Sequence, residues 1–208
     1  MTDSLYKMEP DTDILFVLDP GHGKTTPGKR SPKWPDGTQL FEYEFNRDIV
    51  RRIGNSLLNS GIYHIWTTLS NYDMPLENRV HLANRAVHTH KHVIYVSVHA
   101  NAGGGTGWEV FTSKGNTDSD QYAEIFFNKM KKEFPNMTFR ADYLDGDSDK
   151  EENFYVLRKT ICPAVLTENF FMDTYDPDCK ILLSEDGREK IAKGHINAIN
   201  EIYKQLKT

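Results

Sequence analysis

Cysteine is almost absent from this chain, and that removes one way of building it. Cys162 and Cys179 are the only two among 208 residues, so no disulfide framework holds the fold together. They could form one bridge, but two free thiols in a protein made in the cytosol is the preferred reading. Long apolar runs are missing too: nothing approaches the roughly 18 consecutive apolar residues of a membrane span. An excess of positive charge is also lacking. Lys and Arg number 25 against 30 Asp and Glu, for a net charge of −5, which argues against broad electrostatic binding to nucleic acid or anionic membrane. The opening Met-Thr-Asp-Ser-Leu-Tyr-Lys-Met-Glu has no apolar h-region and is not read as a signal peptide. Finally, Gly23-Lys24-Thr25 resembles the tail of a phosphate-binding loop, but the glycine required five places earlier is Leu18.

What is present suits one soluble domain with a full-sized core, spanning residues 1–208 with 1–12 as an extended N-terminal segment. Hydrophobic residues make up 38% and charged residues 26%, which is globular rather than disordered composition. Ile14-Leu-Phe-Val-Leu18 is apolar on both faces and stops at Asp19-Pro20-Gly21-His22-Gly23. That is the pattern of a central parallel strand that ends abruptly. Residues 24–40, with Pro27, Pro32 and Pro35, are expected to form a long loop over the carboxyl edge of the sheet, carrying Trp34.

Helical periodicity marks 42–60, where Phe45, Ile49, Ile53 and Leu57 recur on one face, and again 76–90, 118–134 and 184–206. Strands are expected at 64–68, 92–99 and 163–167, with an antiparallel edge strand at 108–112. The acidic stretch 135–153 reads as a solvated surface loop, since the 12-residue spacing of a calcium loop is missing. Strands alternating with helices predict an α/β fold: three layers, a twisted, mostly parallel sheet with helices on both faces, in a single domain.

Three buried strands therefore end on His22, His99 and Glu168, and in a parallel sheet those ends share one edge, where ligands bind. Glu42 joins them at the start of the first helix. Two imidazoles and a carboxylate, with one position left for water, make a common catalytic zinc set. A further carboxylate off the metal would supply the proton transfer that metal-assisted hydrolysis needs. The alternating His88, His90 and His92 are read instead as a solvated helix end.

Asp19-Pro-Gly-His-Gly23, Glu42-x-x-x-Asn46 opening a helix, Ser97-Val-His-Ala-Asn-Ala102 and Pro163-Ala-Val-Leu-Thr-Glu168 occur in this order. Together they resemble the zinc-dependent N-acetylmuramoyl-L-alanine amidases of the amidase_3 type, from about Ile14 to the closing helix. The resemblance implies that His22, Glu42 and His99 bind Zn2+ and that Glu168 is the catalytic glutamate. Glu44 is the rival to Glu42, which is preferred because it stands four residues before Asn46, as the family's glutamate does before its asparagine. The implied reaction is hydrolysis of the amide between N-acetylmuramic acid and L-alanine in peptidoglycan. The partner is then the muramyl stem peptide, and a monomer is the expected state. The site of action is the cell wall, after cytoplasmic release of the phage type or as a trimmed secreted protein.

Two departures stand out. The family usually has Glu-Thr-Gly after the last strand; here Glu168-Asn169-Phe170 is expected to reshape the pocket floor. No long blocking helix is apparent between Trp108 and Pro163, which implies activity without a partner. Arg79 and Arg158 could meet acidic stem-peptide groups or form ordinary ion pairs. The alternatives to the amidase are a zinc peptidase or deacylase on another amide, and a catalytically idle cell-wall binding module.

Overall fold

The computed structural model describes residues 11–144 and 146–208. Of the expected N-terminal extension, residues 1–10 lie outside that range, while Asp11 already begins the first strand. Six strands form one sheet: β1 (Asp11–Pro20), β2 (Ile62–Trp66), β3 (His92–Asn101), β4 (Glu109–Thr112), β5 (Lys150–Glu151) and β6 (Ala164–Phe171). Their order is β2-β1-β3-β6-β4-β5. All pairings are parallel except β4 with β6. The expected three-layer α/β architecture is present.

The helices are α1 (Glu42–Asn59), α2 (Leu76–Ala86), α3 (Asp118–Glu133), α4 (Tyr155–Lys159), α5 (Lys180–Leu183) and α6 (Glu185–Leu206). Alternation along β1 divides the core in two. Ile14, Phe16 and Leu18 pack with α1, α3 and α6, while Leu15 and Val17 pack with Val80 and Ala83 of α2 and Val156 and Leu157 of α4. Strands buried on both faces need apolar residues at every position, as the run 14–18 supplies. Thr117 caps α3 with a reciprocal box to Asp120, and the Ser184 hydroxyl accepts from Gly187 N–H at the start of α6.

Three expectations change. The strand at 109–112 is antiparallel as expected but is not the edge, because the two-residue β5 lies outside it. The stretch 135–153 is not wholly solvated, since Ser148 and Asp149 are buried. Residues 155–159 and 175–183 are helical turns too short for periodicity to reveal. The cysteines are free and lie in different halves of the core, Cys162 on the α2 side and Cys179 on the α1 side.

Candidate metal centre

Register places the chemistry at one edge. Asp19 pairs with Ser97 and Pro20 with Val98 across β1 and β3, and His99 pairs with Glu168 across β3 and β6. Gly21 N–H continues the ladder to Val98 O at 3.0 Å, and His22 turns out of it with φ 60°. A left-handed histidine is uncommon and needs support from its surroundings. Gly21 is required by close approach, because a Cβ there would lie 2.0 Å from His99 Cε1.

His22, Glu42 and His99 converge with one potential ligand atom each, all within 4.8 Å of one another. Glu42 Oε1 lies 3.3 Å from His22 Nε2 and 3.1 Å from His99 Nδ1. The two imidazoles meet edge to face at 4.8 Å. Glu42 is fully buried in the first turn of α1, and Ala100 N–H and Asn46 Nδ2 reach its Oε1 at 3.3 and 3.5 Å. Glu44 points to solvent and accepts from the Tyr43 hydroxyl, so the rival glutamate is outside the cluster.

Burial, and then His99 nearby, hold the His22 imidazole down to about 3, in the neutral form that ligates metal. Burial also acts against charge on His99, but its hydrogen bond to Glu42 and the surrounding carboxylates raise it. Glu42 Oε2 is buried and accepts no hydrogen bond; its nearest cation is Lys29 Nζ at 3.9 Å. A buried carboxylate oxygen without a donor is costly unless something positive meets it. Two imidazole nitrogens and one carboxylate oxygen, converging within 4.8 Å, fit a zinc ion.

Glu168 lies beside this cluster on a cavity of about 460 Å³ whose walls include His22, Lys29, Asp73, Leu76, His99 and Phe154. Burial, opposed by His99, lifts its carboxyl to about 8, and Glu168 Oε2 has no hydrogen-bond partner.

The two arginines singled out in the sequence do not offer free donors to the cavity centre. Arg79 is buried and donates to Asp19 Oδ1 and Pro20 O at 2.7 Å and to Met74 O at 2.8 Å. Arg158 lies exposed over the Tyr155 ring. Trp34 packs down, with its ring 4.7 Å from Tyr175 and its N–H donating to Cys179 Sγ.

Asn169 and Phe170 do not line the cavity, so the expected change of pocket floor is not found. Asn169 supports the His99 main chain instead, and Phe170 packs into the core. Asn169 Nδ2 donates to His99 O at 2.9 Å, and Asn169 Oδ1 accepts from Trp108 Nε1 at 2.8 Å. Phe170 adopts φ 59° and buries its ring 4.9 Å from Phe134. Sequence reasoning also missed Arg47, which is buried and donates to the carbonyls of Gly21, His22, Tyr43, Ser70 and Tyr72. Helical periodicity assigns Arg47 to the polar face with Asp48, Arg51 and Arg52; it is buried instead, with the carbonyls of Ser70 and Tyr72 among its acceptors.

A family model described as N-acetylmuramoyl-L-alanine amidase, Amidase_3, matches residues 16–201. The chain is 28% identical over 199 residues to the sporulation-specific N-acetylmuramoyl-L-alanine amidase of Bacillus subtilis (strain 168), covering 94% of this chain and 70% of that protein. It is 30% identical over 189 residues to the amidase CwlM of Bacillus licheniformis, covering 89% and 67%. Among solved structures, the amidase AmiC2 of Nostoc punctiforme superposes with a TM-score of 0.75 at 25% identity, over 92% of this chain and 98% of that one. The motifs, the sheet and the match across nearly the whole chain agree: this protein belongs to the Amidase_3 family of N-acetylmuramoyl-L-alanine amidases.

Proposed function

We propose that His22, Glu42 and His99 hold zinc and that Glu168 carries the proton in hydrolysis of the amide between N-acetylmuramic acid and L-alanine of peptidoglycan. The observation that carries this is the convergence of three ligand atoms within 4.8 Å beside the cavity that Glu168 lines. Zinc bound there supplies Lewis acidity, bringing the pKa of water towards about 7 and polarising the amide carbonyl.

Hydrolysis breaks the C–N bond, adds the hydroxyl of water to the carbonyl carbon and adds a proton to the leaving nitrogen. One group that takes a proton and passes it on is enough for this. Glu168 has the position, with an unpartnered Oε2 at the cavity wall, and a carboxyl poised near neutrality. Gly21 leaves room for the His99 ring, and Asn169 fixes the His99 main chain from below. Lys29 keeps one positive charge on the cavity wall. The action is on the cell wall, and the protein works as a monomer.

The test is mass spectrometry of soluble products from peptidoglycan, with zinc and with a chelator. Free stem peptides beginning at L-alanine, formed only with zinc, are expected. Cleavage inside the stem peptide would replace the amidase reading with a peptidase. Wall binding without metal or product would replace it with a binding module.

A further inference from the structure

A second cluster of carboxylates lies at the far edge of the sheet, where polar sequence suggested only solvent. Backbone pairing forces it inward. Phe111 and Thr112 of β4 pair with Lys150 and Glu151 of β5, and Glu152 N–H donates to Thr112 O at 3.1 Å. This draws Asp149 under the sheet edge, where it is 2% exposed. Its Oδ2 accepts from the Thr112 hydroxyl at 2.5 Å. Its Oδ1 is buried and has no partner, and the same holds for Asp147 Oδ1. The two carboxyl groups are within hydrogen-bonding reach of each other.

The neighbours offer no relief. Ser148 spends its hydroxyl proton on Glu124 of α3. Asp120, which adds to the negative field, accepts from Thr117 N–H as part of the helix cap. Lys150 turns the other way and pairs with Glu109. Among the described residues no cation forms an ion pair with Asp147 or Asp149. Each carboxyl thus keeps one buried oxygen without a donor, and two such oxygens are best neutralised by something shared between them.

We propose that Asp147 and Asp149 bind one hard divalent cation of the calcium class, which ties the end of the 135–149 segment to β4. The donors are oxygens only, which suits calcium rather than zinc, and calcium tolerates irregular geometry completed by water. Asp147 is half-exposed, so its side leaves room for those waters. Burial, together with Asp147, lifts Asp149 to about 7, so the pair also takes up a single proton when no cation is present.

The site uses none of the residues of the amidase reading, so each can fail alone. The experiment is isothermal calorimetry and thermal unfolding of zinc-loaded protein with calcium chloride at pH 7.5, against sodium chloride of equal ionic strength. One calcium per chain and a rise in Tm are expected. Asp149→Asn and Asp147→Asn should each weaken calcium binding at least tenfold and remove the rise in Tm. Both are close in shape and relieve the charge repulsion, so both should fold and keep lytic activity. Absence of heat and of any Tm response at millimolar calcium would overturn the proposal and leave a shared proton as the neutralising species. Undiminished binding in both variants would overturn it as well.

Discussion

Arg47 Nη2 donates to the main-chain oxygen of His22 at 2.9 Å. The contact lies beneath a residue of the proposed zinc set whose backbone sits at φ 60°. Arg79 Nη2 reaches the same oxygen from the other side at 3.3 Å. Two buried guanidiniums thus hold a conformation that histidine disfavours on its own.

Removing one of them should loosen the site before it unfolds the chain. Arg47→Lys keeps a charge but cannot span five carbonyls with a planar fork. We expect zinc affinity to fall about 10–100-fold, the range for lost outer supports of a metal ligand. Competition with a chromophoric chelator measures this. Wild-type affinity in Arg47→Lys would show that His22 holds its geometry unaided.

Glu168 and His22 should separate chemistry from metal. Glu168→Gln should retain zinc while losing about 10²–10⁴ in turnover, the usual worth of a positioned general acid–base. His22→Ala should lose the metal as well as the activity. Metal analysis beside a peptidoglycan-release assay distinguishes them, and near-native turnover in Glu168→Gln would remove that residue from the mechanism.

His195 makes the fold sensitive to acid. It is fully buried in α6, with Nδ1 2.8 Å from Ile191 O and Nε2 2.9 Å from the Thr167 hydroxyl. The carbonyl assigns the proton to Nδ1, so Nε2 accepts from Thr167. Burial lowers its pKa to about 4. Above pH 6.5 both folded and unfolded states are neutral, and its contribution to stability is fully present. As pH falls from 6.5 towards about 4 the unfolded chain takes a proton that the folded one refuses, and about 3 kcal/mol is lost. Denaturant unfolding across this window should show a shallower loss in His195→Gln than in wild type.

Phe170 sets two effects of opposite sign against each other. Glycine would relieve the left-handed backbone, worth about 1–2 kcal/mol. Deleting the buried ring beside Phe134 costs about 3–5 kcal/mol. Phe170→Gly should therefore destabilise, and a midpoint above wild type in urea would show that backbone strain dominates.

Much of the site was legible because strands end abruptly. The apolar runs closing on His22, His99 and Glu168 pointed to three residues without any knowledge of contacts, and the family resemblance, through the Asn46 spacing, chose Glu42. Arg79 was legible only in part, because its ion pair was one of two readings but its partner was not in view. Its fate depends on Asp19, 60 positions away, and Asp19 looked like mere punctuation at a strand end. Asp149 was hidden for the opposite reason. A polar string reads as solvated until a two-residue strand pulls part of it under the sheet. Asn169 escaped because its work is done on a carbonyl, which every residue carries.

The facing of His99 and Glu168 across β3 and β6 has a practical consequence. Slipping one strand past the other by a single residue would send Glu168 to the opposite side of the sheet. No partly correct pairing can then carry both groups, so lytic activity doubles as a proofreader of strand alignment. Specific activity per folded molecule counts the fraction of a refolded sample whose sheet closed in the right phase.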